Sequence, residues 1–81
     1  MTTKAYILME TTVGKTESVV KSLRRMPGVI AADAVTGPYD VIAIIQGSDA
    51  NSVGKLVLND IHGTDGVEKT MSCIAVGPSE G

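Results

Sequence analysis

The chain has 81 residues, a formal net charge of −2, one cysteine and one histidine. A single cysteine excludes an internal disulfide, and one histidine with one cysteine cannot supply a tetrahedral metal site. Seven Lys plus Arg and two aromatic residues provide neither a basic duplex-binding stripe nor a stacking platform for single strands.

The first predicted strand covers residues 5–11 (AYILMET), an apolar stretch of high strand propensity closed by Thr12-Val13-Gly14. Residues 15–26 carry Val19, Leu23 and Met26 at helical spacing, with Val20 widening the stripe, so an amphipathic helix is expected there. Pro27-Gly28 stops it. Lys21, Arg24 and Arg25 form the densest basic spot and fall on its solvated side. Residues 29–36 and 41–46 read as two strands joined by a short turn, hence an antiparallel hairpin, because a parallel pair needs a crossover. Ser48 or Asp49 can cap a second helix over residues 50–62, with Val53, Leu56, Val57 and Ile61 on one face. Gly63 ends that helix, residues 67–76 make a last strand, and 77–81 read as a flexible tail.

The order is βαββαβ, and an internal echo supports it. Shifting the first half by 38 positions lays Val19 on Val57, Val20 on Leu58, Leu23 on Ile61 and Gly28-Val29 on Gly66-Val67. One domain of ferredoxin-like α+β type over residues 1–76 follows, a four-stranded antiparallel sheet with two helices on one face.

That plan conflicts with the residues of the first and third strands. A sheet covered on one side should alternate to polar on the other. Here Tyr6 and Leu8 alternate with Ile7 and Met9, and Val41, Ala43 and Ile45 alternate with Ile42 and Ile44. Both faces are apolar, which on a small domain signals association. A two-fold partner packed sheet on sheet would bury ~800 Å² per chain. Self-association is also expected from size, since so short a chain buries only about 60% of its unfolded surface.

No catalytic constellation is legible. Cys73 inside a strand reads as a small buried hydrophobe, and His62 at a helix end reads as a capping or plain surface group. Gly14-Lys15-Thr16 fails as a phosphate loop, because Met9 stands where its first glycine is required. No secretory pattern opens the chain, the longest apolar run (41–45) is far short of the ~20 residues that span a bilayer, and the lone cysteine suits a cytoplasmic setting.

The turn Thr36-Gly37-Pro38-Tyr39-Asp40 has an unusual load: accessible backbone groups, a phenol and a carboxylate. A free amino acid needs N–H donors for its carboxylate and an acid for its ammonium. Gly37 and Tyr39 can offer donors and Asp40 the acid; equally, Thr36 and Asp40 can serve only to stabilise the turn.

At these residues the sequence resembles the Lrp/AsnC effector-binding (RAM) domain. The resemblance rests on the βαββαβ order, Pro-Gly-Val after the first helix, Thr-Gly-x-Tyr-Asp in the central hairpin, Gly-Val before the last strand, and the Thr70-x-Ser72 hydroxyl pair. It implies a dimeric α/β barrel whose dimers gather into rings such as octamers, with amino acids or similar metabolites held between neighbouring dimers. Gly37, Tyr39, Asp40, Thr70 and Ser72 are the implied ligand-binding residues, with no metal and no cofactor. Pro38 removes one backbone donor at the variable position. Full-length members carry an N-terminal winged helix-turn-helix, and here Met1-Thr2-Thr3 alone precede the first strand. The resemblance therefore implies a stand-alone amino-acid-sensing module, without direct nucleic-acid or membrane contact, that can join a full-length regulator in mixed assemblies. The alternatives are a monooxygenase-like barrel enzyme using His62, Tyr6 or Tyr39, and a ligand-free interaction module.

Overall fold

Residues 3–11 extend because every second side chain has a core to enter. Ala5, Ile7 and Met9 are completely buried, while Tyr6 and Leu8 between them keep part of their surface exposed. The computed structural model describes residues 2–76, so the expected tail at 77–81 lies outside the described residues. Its elements are β1 (Thr3–Thr11), α1 (Thr16–Arg24), β2 (Val29–Ala34), β3 (Val41–Gly47), α2 (Ala50–Lys55) continued by a π-helical turn (Leu56–Ile61), and β4 (Val67–Ile74). The four strands form one sheet in the order β2-β3-β1-β4, and all three pairings are antiparallel. The expected βαββαβ ferredoxin-like plan is therefore the observed one.

Helix α1 turns Val19, Val20 and Leu23 into the core, as its spacing requires. Glu17 lies in its first turn and Lys21 and Arg24 in its last, matching the helix dipole at both ends. It is shorter than its sequence pattern by one residue at the start, where Lys15 is the cap, and by two at the end. Arg25 and Met26 instead close tight turns onto the carbonyls of Ser22 and Leu23. Arg24 is more than a solvated charge. Its Nε donates to the Ala32 carbonyl at 2.9 Å and its guanidinium meets Asp33 at 3.2 Å, fastening α1 to β2.

The second helix begins at Asp49, whose carboxylate accepts from the Ser52 backbone N–H at 2.8 Å. Those bonds from Ser52 hold the Asp49 carboxyl below its ordinary value, since they favour its ionised form. From Leu56 onward the helix is wound as a π-helix, which the side-chain spacing did not reveal. The physical reason is visible in what becomes buried. A continued α-helix would turn Ile61 toward the edge of the stripe that it shares with Val53 and Val57. The wider turn adds less rotation per residue and returns Ile61 to the sheet, where it is fully buried. The internal echo holds at Val19/Val57 and Leu23/Ile61, all buried. It fails at Val20/Leu58, which are 6% and 67% exposed.

The two Gly-Val steps enter β2 and β4 through glycines with φ of +94° at Gly28 and +99° at Gly66. At Gly66 a Cβ would sit 2.9 Å from both Lys15 Cβ and Val19 Cγ2, so α1 packs directly on this backbone.

The helices cover one side of the sheet. On that side lie Ala5, Ile7, Met9, Val41, Ala43 and Ile45, each with no exposed surface. Cross-strand partners in an antiparallel sheet point to the same side, so the pairs Tyr6–Ile44, Leu8–Ile42, Leu8–Met71 and Tyr6–Cys73 define the opposite one. No element of the chain covers it among the described residues. Tyr6 and Met71 are exposed and Leu8, Ile42 and Ile44 half-exposed. The two-faced apolar strands read from the sequence are thus present as an open apolar sheet face. Cys73 belongs to it and is exposed, which corrects the expectation of a buried thiol. The reason is its register: it pairs with Tyr6, on the uncovered side of an edge strand.

Candidate functional site

The five residues implied as ligand-binding fall in two groups. Gly37, Tyr39 and Asp40 occupy the β2–β3 connection, and Thr70 and Ser72 lie on the edge strand β4. Gly37 takes φ of +154°, and a Cβ there would meet nothing within 4 Å, so its backbone is open on that side.

Asp40 ties the hairpin to the neighbouring strand. Its backbone N–H donates to the Met9 carbonyl at 2.9 Å, and its Oδ2 accepts from the Thr11 backbone N–H at 2.8 Å. The Thr11 hydroxyl reaches the same oxygen at 3.4 Å and shares a 2.7 Å bond with the Thr16 hydroxyl at the start of α1. Among the described residues no hydrogen bond reaches Oδ1. One carboxylate oxygen therefore performs a structural task and the other remains available.

Tyr39 is half-buried, and its hydroxyl points at Met71 Sδ, 3.5 Å away. Met71 pairs with Leu8, so Tyr39 stands at the rim of the open apolar face. Thr70 and Ser72 go the other way. They pair with Met9 and Ile7, both on the helix-covered side. Ile7 and Met9 are sealed beneath the helices, whereas β4 lies beyond their cover, leaving Ser72 exposed and Thr70 half-buried. One chain thus places the hydroxyl pair and the Tyr39 phenol on opposite sides of the sheet. The register of β4 against β1 slips by one residue at Glu68, opposite Glu10 and Thr11.

The sequence pattern missed one participant. His62 Nε2 lies 2.6 Å from Thr70 Oγ1. The π-helical turn delivers His62 there, its backbone N–H closing onto the Val57 carbonyl five residues back at 2.9 Å. The imidazole therefore bonds a strand hydroxyl rather than the last helix carbonyls. His62, Val67, Glu68, Lys69 and Thr70 line a cavity of about 310 Å³ between this turn and β4. The only signal available in the sequence was the coincidence of a histidine at a helix end with a hydroxyl-bearing strand.

The side chains considered for catalysis do not converge. Tyr6 lies on the open face with the Lys4 ammonium 5.5 Å above its ring, Tyr39 is held on Met71, and His62 is on the helix-covered side. Among the described residues no group of three or more His, Cys, Asp or Glu side chains is close enough to hold a metal ion, and no helix is long and apolar enough to cross a membrane.

Comparison with known proteins agrees with this geometry. A family profile described as the Lrp/AsnC ligand binding domain matches residues 4–78. The chain is 26% identical over 59 residues to the uncharacterized HTH-type transcriptional regulator PF0250 of Pyrococcus furiosus, covering 73% of this chain and 39% of that protein. The chain spans about two fifths of the length of such curated relatives. The crystal structure of the hypothetical protein PHS023 from Pyrococcus horikoshii superposes with a TM-score of 0.87 at 29% identity, covering 94% of this chain and 92% of that one. The same fold occurs in the transcriptional regulator NMB0573 of Neisseria meningitidis, solved as an L-Met complex. There the TM-score is 0.83 at 22% identity, covering 93% of this chain and 50% of that one.

Proposed function

We infer the function from one premise: the chain belongs to the Lrp/AsnC ligand-binding domain family. On that premise it is an oligomeric, non-enzymatic, cytoplasmic module that binds an amino acid or related small metabolite and acts as a modulator without touching DNA itself. The observation that carries this reading is the open sheet face of Tyr6, Leu8, Ile42, Ile44 and Met71. An apolar face of this kind is stable in water when a second copy covers it, and two-fold packing of sheet on sheet is the simplest cover.

The split placement of the site residues supports a ligand held between chains rather than within one. Gly37 and Asp40 supply an open backbone and an available carboxylate oxygen, suited to the charged ends of an amino acid. Thr70 and Ser72 supply hydroxyls on the side of the sheet opposite the Tyr39 phenol, so a ligand that meets both needs a neighbouring copy to contribute the second. An amino-acid effector also accords with the L-Met complex of the Neisseria regulator. The HTH-type relatives suggest full-length regulators as partners in mixed rings such as octamers.

Isothermal titration against the twenty amino acids tests the reading. Saturable binding of at least one is expected, and silence across all of them at millimolar concentration would sink it.

A further inference from the structure

The cavity between the π-helical turn and β4 contains the chain's only histidine. Its contact with Thr70 is short, 2.6 Å, and joins elements that the loop of residues 62–66 separates. We propose that His62 is a positioning residue for the effector, setting through its protonation state whether the Thr70 hydroxyl donates to a ligand carboxylate or accepts from a ligand N–H. This inference rests on Thr70 being an effector contact.

The chemistry follows from the inventory of the two groups. A hydroxyl has one proton to donate and lone pairs to accept. When neutral His62 carries its proton on Nδ1, Nε2 is an acceptor and takes the Thr70 proton, so the hydroxyl turns lone pairs toward the cavity. When the ring is protonated on both nitrogens, Nε2–H donates to Thr70 Oγ1, and the hydroxyl proton is released for an outside acceptor such as a carboxylate. The imidazolium adds a positive charge beside the same carboxylate. Histidine is the side chain that ordinarily makes this change within the physiological range.

The surroundings hold the contact without replacing it. The charged groups lining the cavity with His62 are Glu68 and Lys69, both from β4. Glu68 Oε2 already accepts from the Thr12 hydroxyl at 2.9 Å, and Lys69 stands opposite Glu10 in the strand register. Asp65, in the loop that follows His62, is engaged by the Lys15 ammonium at 2.8 Å. Asp60, two residues before His62, is the remaining acid on its own element. The ring is itself exposed, so protons exchange freely.

The test uses the whole chain, with His62→Gln and Thr70→Val as variants; both positions lie outside the buried core. In the ligand-free protein the single imidazole gives one pair of ring 15N NMR signals. Thr70→Val is expected to shift the Nε2 signal, which the 2.6 Å contact places against the hydroxyl, and an unchanged signal overturns the coupling. In calorimetry with the twenty L-amino acids, the wild type is expected to bind its best ligand roughly tenfold more tightly at about pH 5.5 than at about pH 8. His62→Gln is expected to flatten that dependence; a pH profile that survives the substitution overturns the proposal. Absence of any amino-acid binding would strike at the functional reading instead, and the Nε2 signal alone would then decide whether His62 is coupled to Thr70.

Discussion

Replacing Asp40 separates its structural task from its proposed ligand task. In the structure Oδ2 accepts a half-buried backbone N–H from Thr11 at 2.8 Å, joining the β2–β3 connection to β1 across 29 residues of sequence. A charge-assisted bond of this kind contributes about 1.5–3 kcal/mol when well buried, and partial exposure reduces that to about 1–2 kcal/mol here. Asp40→Ala strands the Thr11 donor and should cost that amount. For a domain of this size the melting temperature then falls by about 4–16 °C. Asp40→Asn keeps an oxygen acceptor in place and should cost less than about 1 kcal/mol. Both variants, however, remove the negative charge offered to an effector ammonium, and both should weaken amino-acid binding by about 1–3 kcal/mol. Scanning calorimetry at one fixed protein concentration reads the first effect, because association also shifts melting. Titration calorimetry reads the second. An Asp40→Ala protein that melts with the wild type would refute the assignment of the Thr11 bond. An Asp40→Asn protein of undiminished affinity would refute the ammonium assignment while leaving the bond intact.

Three further outcomes follow from the same structure. Leu8→Lys places a charge in the middle of the open face; Leu8 is half-exposed in a single chain, so folding should survive while association costs several kcal/mol. Sedimentation should show monomers, and an unchanged assembly would mean that the face is not the contact. Gly66→Ala forces a side chain into a left-handed backbone and against Lys15 and Val19, and should destabilise by at least ~1–2 kcal/mol in a denaturant titration. Equal stability would show that α1 does not pack on Gly66. Asp49 is held below its ordinary carboxyl value by its bonds from Ser52, so the folded state binds fewer protons than the unfolded one. Its contribution is present above the unfolded value of 3.8 and is lost as pH falls through the lowered one. Asp49→Ala should therefore melt below the wild type near neutrality and converge with it in acid; a constant gap would contradict the cap.

How much of this was legible in the sequence depends on the range of the interaction. Strands and helices with local periodicity were readable: Val19 and Leu23 face the core, the β2–β3 hairpin is antiparallel, and the apolar second face of β1 and β3 is real. The π-helical turn was not, because Val53, Val57 and Ile61 stand four apart and that spacing also suits a plain α-helix. The Thr11–Asp40 bond depends on β1 and β3 being neighbours in the sheet, and the His62–Thr70 contact depends on the path of the loop between them. Sequence spacing encodes neither. The exposure of Cys73 follows from the same limit. A strand position tells which neighbours share its side, while whether that side is covered is decided by the helices.

Native mass spectrometry with amino acids present tests the central claim most directly, since it reads assembly and occupancy together. The account predicts even-numbered assemblies, dimers or rings of dimers, that gain the mass of bound amino acid in proportion to the number of chains. A monomer, or an assembly that takes up no amino acid at millimolar concentration, would contradict it.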